Sequence, residues 1–143
     1  LYNHESPLRK ENFVTKKIIT TACRIYKGST EKLYLGNIAI SRDWGWAPEY
    51  VEAMWVMMQQ EKADDFIIAT GKTHSLEEFI SLTFSKLQLN WKDHVLADPG
   101  LIRFTDLGYG KANPQKAEAV LGWKARVSFE QIIERMIEAE LAD

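Results

Sequence analysis

The strongest constraint on the fold of this chain is a helical apolar spacing that returns again and again with start and stop signals, separated by apolar runs of only three or four residues. From Phe13 to Lys27 the apolar residues Val14, Ile18, Ala22, Ile25 and Tyr26 recur at helical spacing, and Gly28 stands where a helix stops. Pro48 fits the first turn of a second helix over Glu49–Gln60. Its residues Tyr50, Val51, Met54, Trp55, Met57 and Met58 are apolar almost all round, which predicts burial on several sides by another element. Ser75 and Glu78 make a capping box ahead of the face Leu76, Phe79, Ile80, Thr83 and Leu87. Asn113-Pro114 is a cap signal for a short helix ending near Gly122. Ser128 and Gln131 form another capping box, before an amphipathic helix carrying Phe129, Ile132, Ile133, Met136 and Ile137 to the C-terminus. Leu33–Leu35 and Phe66–Ala69 read as short strands, the second buried, and the polar residues 1–12 as a loop. These alternations predict an α/β unit with more helix than strand, undivided by any repeat, low-complexity tract or long linker.

Composition narrows the classes of function. With 143 residues, 45% of them hydrophobic, the chain can bury one core. The apolar runs fall far short of the roughly 20 residues that span a bilayer, and no basic-then-apolar leader opens the chain, so a soluble, cytoplasmic protein without membrane contact is expected. Leu1 in place of Met reads as a cut inside a longer chain. A single cysteine, Cys23, allows no intramolecular disulfide and argues against a Cys-based zinc site; inside a predicted helix, its expected role is packing. Basic residues exceed acidic ones over residues 1–50 and the reverse holds beyond, yet the net charge of -2 and a pI near 6.0 are not a nucleic-acid footprint. The basic excess suits a small anionic ligand, although composition alone favours ordinary solvated surface charge.

The motifs of a complete nucleotide-dependent enzyme are absent. There is no Gly-x-Gly-x-x-Gly after a strand, no Gly-Lys-Ser/Thr phosphate loop and no Tyr-x-x-x-Lys pair. His4, His74 and His94 stand apart from one another, which gives a metal site no support, and His74 reads as structural. Two stretches stand out. Asn3-His4-Glu5-Ser6-Pro7-Leu8-Arg9-Lys10 leads polar donors into a helix with Lys16 and Lys17 near its start, a natural setting for a phosphate. Arg42-Asp43-Trp44-Gly45-Trp46 places a guanidinium, able to fork onto phosphate oxygens, near two indoles able to cover an apolar ligand face. For Arg42 a salt bridge to Asp43 or Glu49 is the competing reading. Arg103, between Ile102 and Phe104, either needs an anionic partner or snorkels at the surface.

Taken in order, Asn3-His4-Glu5-Ser6-Pro7, Phe13-Val14-Thr15-Lys16-Lys17, Leu35-Gly36-Asn37, Arg42-Asp43-Trp44-Gly45, Tyr50-Val51-Glu52-Ala53-Met54-Trp55 and Ile68-Ala69-Thr70-Gly71 resemble the GDP-mannose 4,6-dehydratases, a family of the extended short-chain dehydrogenase/reductases. Leu121-Gly122-Trp123-Lys124 and Val127-Ser128-Phe129-Glu130 resemble the superfamily's C-terminal ending, so the resemblance covers essentially the whole chain. It implies a helix-rich C-terminal substrate-binding lobe whose N-terminal Rossmann lobe, with the NADP site and the catalytic residues, is missing from this chain. Residues 1–12 would come from the end of the cofactor-binding lobe, and 13–143 would form the nucleotide-sugar lobe.

By match to the family motif, His4 and Arg9 would touch NADP, and Asn3, Val14, Lys17, Arg42 and Arg103 would line the site for GDP-mannose or a related GDP-sugar. Arg42 and Arg103 would clamp the diphosphate, and Asp106 would accept hydrogen bonds from guanine or ribose. No catalytic residue and no metal ligand is expected here. The full-length protein would be a homodimer or homotetramer. Leu8 stands where the family usually has arginine, Trp46 and Glu49 where it has His and Asp, and Phe104 where it has Pro. These departures fit a subfamily acting on a related sugar. A GDP-sugar reductase or epimerase of the same superfamily and a non-catalytic nucleotide-binding module are the alternatives.

Overall fold

A computed structural model describes residues 1–102 and 107–142. Among these residues five α-helices, α1 (Val14–Tyr26), α2 (Ala47–Met58), α3 (Leu76–Lys86), α4 (Gln115–Leu121) and α5 (Phe129–Ala142), are joined by six short strands. The strands are β1 (Asn3–Glu5), β2 (Leu33–Leu35), β3 (Ser41–Arg42), β4 (Trp44–Trp46), β5 (His74–Ser75) and β6 (Val95–Ala97). They form three two-stranded pairs: β1 with β4 and β2 with β6 in parallel, and β3 with β5 antiparallel. The class is the expected helix-rich α/β. No helix among the described residues is long and apolar enough to cross a membrane.

The helices begin and end where local chemistry says they should. In α3 the Ser75 hydroxyl accepts from the Glu78 amide at 3.0 Å while the Glu78 carboxylate accepts from the Ser75 amide at 2.6 Å. Ser128 and Gln131 make the same reciprocal pair before α5, at 2.9 and 3.2 Å. Asn113 accepts from the Gln115 amide at 3.1 Å to start α4, and Gly122 closes it in the left-handed region at φ 64°. The chain leaves α1 through Gly28 at φ 103°.

Helices α1, α3 and α5 pack against one another, burying Ile18, Ile19, Ala22, Phe79, Ile80, Phe84, Ile132, Ile133 and Met136 completely. Cys23 belongs to this core, and burial pushes its thiol up to about 11, so it packs rather than reacts. A second cluster forms where α2 meets α4 and the chain after it, around Tyr50, Ala53, Ile68, Ala117 and Trp123.

Three expectations are corrected. Residues 1–12 are not all loop: Asn3–Glu5 pairs in parallel with Trp44–Trp46, in the register His4 to Gly45. Phe66–Ala69 is not a strand; Ile68 and Ala69 are buried, and Ile68 accepts one hydrogen bond from the Tyr2 amide at 2.9 Å, but no ladder forms. Burial alone does not distinguish a strand from a buried extended segment. Finally, α2 is not enclosed. Tyr50 and Ala53 face the core, whereas Val51, Met54, Trp55 and Met58, spaced as one helical stripe, are 62, 42, 64 and 81% exposed.

Candidate functional site

The site begins at the first turn of α1. Its 13 residues aim unpaired amides and the positive pole of the helix at a groove of about 480 Å³. Asn3 from β1, Val14 and Lys17 from α1 and Arg42 from β3 all line this groove. Four of the six expected substrate contacts thus converge from three elements. Arg103 and Asp106 lie outside the described residues.

Lys17 and Arg42, the cations of the groove among the described residues, are held by neutral groups. Lys17 Nζ donates to the Tyr34 carbonyl at 2.7 Å, and Arg42 Nη1 donates to the Ser41 carbonyl at 2.8 Å and to the Leu107 carbonyl. The salt bridge from Arg42 to Asp43 or Glu49 does not form. The Asp43 carboxylate, 1% exposed, accepts from the Thr70 amide at 2.9 Å, the Thr70 hydroxyl at 2.8 Å and the Gly71 amide at 2.8 Å. Glu49 accepts from the backbone amides of Arg126 and Val127 and from Arg126 Nε. Among the described residues no carboxylate pairs with Lys17 or Arg42, so their charge and the α1 pole add up in one concavity.

The aromatic expectation shifts to other rings. Trp44 and Trp46 are 3 and 8% exposed and serve the core, Trp44 lying 5.6 Å from Phe79 and 6.0 Å from Phe129 between ring centroids. Trp44 still forms part of the groove wall, but the rings presented to solvent there are Phe13 and Tyr34, 43 and 49% exposed. Both were overlooked in the sequence, where each has a signal: Phe13 immediately precedes the basic helix, and Tyr34 is the outward residue between inward Leu33 and Leu35. At the groove floor a Cβ on Gly36 would meet the Leu101 carbonyl oxygen at 2.5 Å, so only glycine lets the two backbones approach.

His4 and Arg9, expected at the cofactor, do not line the groove. His4 is half-buried, its Nδ1 2.8 Å from the Tyr2 carbonyl oxygen and its ring 5.0 Å from that of Tyr50. Strand alternation explains why Asn3 and His4 face different ways. Arg9 lies with Nε 3.4 Å from Glu5 Oε2 and its guanidinium 3.7 Å from the centre of the Phe13 ring. His74 is structural, stacked on Phe129 at 3.9 Å with planes 4° apart. The described residues contain no cluster of three or more His, Cys, Asp or Glu able to hold a metal. A larger concavity of about 610 Å³ beside α4 brings in Lys72, Lys111 and Lys124, but Lys124 is paired with Glu118 and all three are solvent-exposed.

The fold and its likenesses to known proteins together give the class, a helix-rich α/β part of an extended short-chain dehydrogenase/reductase. RMD from Pseudomonas aeruginosa complexed with NADPH superposes with a TM-score of 0.88 over 98% of this chain and 46% of its own, at 19% identity. A dTDP-glucose 4,6-dehydratase from Bacillus anthracis in complex with NAD gives 0.83 over 96% and 42%, at 16% identity. Such identities speak for the fold alone. The sequence goes further: the GDP-mannose 4,6 dehydratase family model matches residues 1–136, and the chain belongs to that family. It is 50% identical over 141 residues to GDP-mannose 4,6 dehydratase 1 of Arabidopsis thaliana and 39% identical over 158 residues to GDP-mannose 4,6 dehydratase of Homo sapiens. Each match takes in 99% of this chain but 39 and 42% of the relative, so the chain spans about two-fifths of their length.

Proposed function

We propose that the chain is the nucleotide-sugar-binding part of a GDP-mannose 4,6-dehydratase, an enzyme that as a whole protein converts GDP-mannose to GDP-4-keto-6-deoxymannose. The observation that carries this reading is the convergence of Asn3, Val14, Lys17 and Arg42 on one groove whose cations are held by carbonyls rather than carboxylates. A diphosphate is the ligand such a groove favours: Arg42 forks onto its oxygens, Lys17 supplies a point charge, and the α1 pole adds its amides. Arg103 is proposed as the second arm of the diphosphate clamp and Asp106 as the acceptor for guanine or ribose. Gripping the diphosphate far from the reacting carbons fixes where the hexose lies, which is the binding contribution of this part to the rate.

NADP, when bound, would supply a reversible hydride acceptor for the hexose, leaving no net oxidation across the dehydration. The residues of this chain fit its edge. His4 is held on a strand with Nδ1 engaged, and Arg9 is a guanidinium whose side chain keeps a quarter of its surface in solvent. The whole protein is read as a cytoplasmic homodimer or homotetramer, with no nucleic-acid or membrane partner.

The test is calorimetric titration of the intact protein with GDP. Arg42→Lys and Arg103→Lys should each weaken binding by about 1.5–3 kcal/mol, since the charge stays and the fork goes. The double variant should lose less than the sum, because groups on one diphosphate are coupled. Additive losses would refute the shared clamp, and wild-type affinity in all three variants would remove the groove from the reaction.

A further inference from the structure

The ring of His4 is constrained from two directions. A carbonyl only accepts, so the 2.8 Å contact between Nδ1 and the Tyr2 carbonyl oxygen places the proton on Nδ1 and makes Nε2 of the neutral ring the acceptor. The second constraint is Tyr50, a buried residue near the start of α2, whose ring lies 5.0 Å from that of His4 at a tilt of 41°. Tyr50 is 1% exposed and is braced edge-on by Trp123 at 5.8 Å and 84°.

What admits Tyr50 to this place is a glycine. A Cβ on Gly45 would lie 2.3–2.5 Å from Tyr50 Cε1, Cζ and Oη, a clash no real Cβ tolerates. His4 and Gly45 are register partners in the parallel β1–β4 pair, so their side-chain directions share a face of the ribbon. The side chain that Gly45 lacks is therefore the space in which the Tyr50 ring sits beside His4. The hydroxyl of Tyr50 is buried with no hydrogen-bond partner among the described residues, and burial raises its pKa, so it stays neutral. The ring, not the hydroxyl, makes the contact.

We propose that Tyr50, seated over Gly45, is a positioning residue that holds the His4 imidazole in one rotamer and one tautomer, with Nε2 presented to a hydrogen-bond donor of the nicotinamide nucleotide. The proposal rests on the reading that His4 meets that cofactor. An acceptor locked before binding spares the rotamer entropy a mobile side chain would lose.

The experiment uses the full-length protein labelled with 15N-histidine, alongside titrations with NADPH and with GDP. Tyr50→Phe keeps the ring and should leave the Nδ1–H signature of His4 and the NADPH affinity unchanged. Tyr50→Leu removes the ring, and Tyr50→Met serves as a second variant of flexible, space-filling shape should the first not fold. Both should move the His4 ring-nitrogen shifts toward a mixture of tautomers and weaken NADPH by about tenfold, one hydrogen bond's worth, while GDP affinity holds. Wild-type nitrogen shifts in the Leu and Met variants would overturn the proposal, as would parallel losses of NADPH and GDP affinity. His4→Ala separates the two layers. If it leaves NADPH binding intact, the cofactor contact is wrong, and the nitrogen shifts still decide whether Tyr50 sets the ring.

Discussion

Glu5 is a carboxylate 1% exposed at the end of β1, and the cation beside it is Arg9. Burial holds its pKa above the ordinary carboxyl value, against the opposing pull of the Arg9 charge. A raised folded-state pKa means that the folded protein binds this proton more tightly than the unfolded chain. Its stabilising effect is thus present at acid pH and is lost as pH rises from about 4.5 through the raised value. Removing Arg9 leaves a buried charge without its cation, so Arg9→Ala should destabilise the fold by about 3 kcal/mol near neutrality and by less at acid pH, where Glu5 carries its proton. Urea unfolding of the wild type and Arg9→Ala across that range checks both points; a pH-independent difference would show that Arg9 is not tied to Glu5. Nothing in the motif Asn3-His4-Glu5-Ser6-Pro7 revealed this pair, because burial of Glu5 depends on its pairing with β4, about forty residues further along the chain.

Elements bounded by local chemistry were the legible ones. The Ser75–Glu78 and Ser128–Gln131 boxes involve residues three apart, so the sequence contains both partners of each bond. Strands of two or three residues do not announce themselves in this way, since each exists only by pairing with a partner far along the chain. Asp43 illustrates the difference. Adjacent to Arg42, it was a plausible salt-bridge partner, yet its carboxylate ties the β3–β4 junction to Thr70 and Gly71, the loop after the buried segment at Ile68. Asp43→Asn keeps the shape but replaces an acceptor oxygen with a donor that faces another donor. It should cost about 2 kcal/mol of stability and loosen the strand that carries Arg42. Thermal unfolding gives the first quantity and amide exchange at Thr70 and Gly71 the second; unchanged protection at those amides would contradict the account.

At the scale of the molecule, the chain spans about two-fifths of the length of its relatives, and α2 leaves the stripe Val51, Met54, Trp55 and Met58 exposed. Among its described residues the groove holds no carboxylate and no histidine; its polar side chains are those of Asn3, Asn12, Lys17, Tyr34, Asn37 and Arg42, with the Trp44 indole in its wall. The purified 143-residue chain should therefore turn over no GDP-mannose with added NADP, whereas the full-length protein should yield the 4-keto-6-deoxy sugar. Product analysis by mass and NMR decides it: turnover by the short chain would refute the division of labour, and a reduced or epimerised product from the full chain would move the protein to another activity. The amino-acid sequence by itself determined the helices, their caps, the class and the family, because apolar period, capping boxes and motif order are properties of near neighbours along the chain. Only the tertiary structure decided that Asn3, Val14, Lys17 and Arg42 share a groove, that the two indoles belong to the core, and that Tyr50 lies over Gly45 beside His4. Those facts depend on which distant surfaces exclude water from one another, and that is settled by packing the whole chain at once.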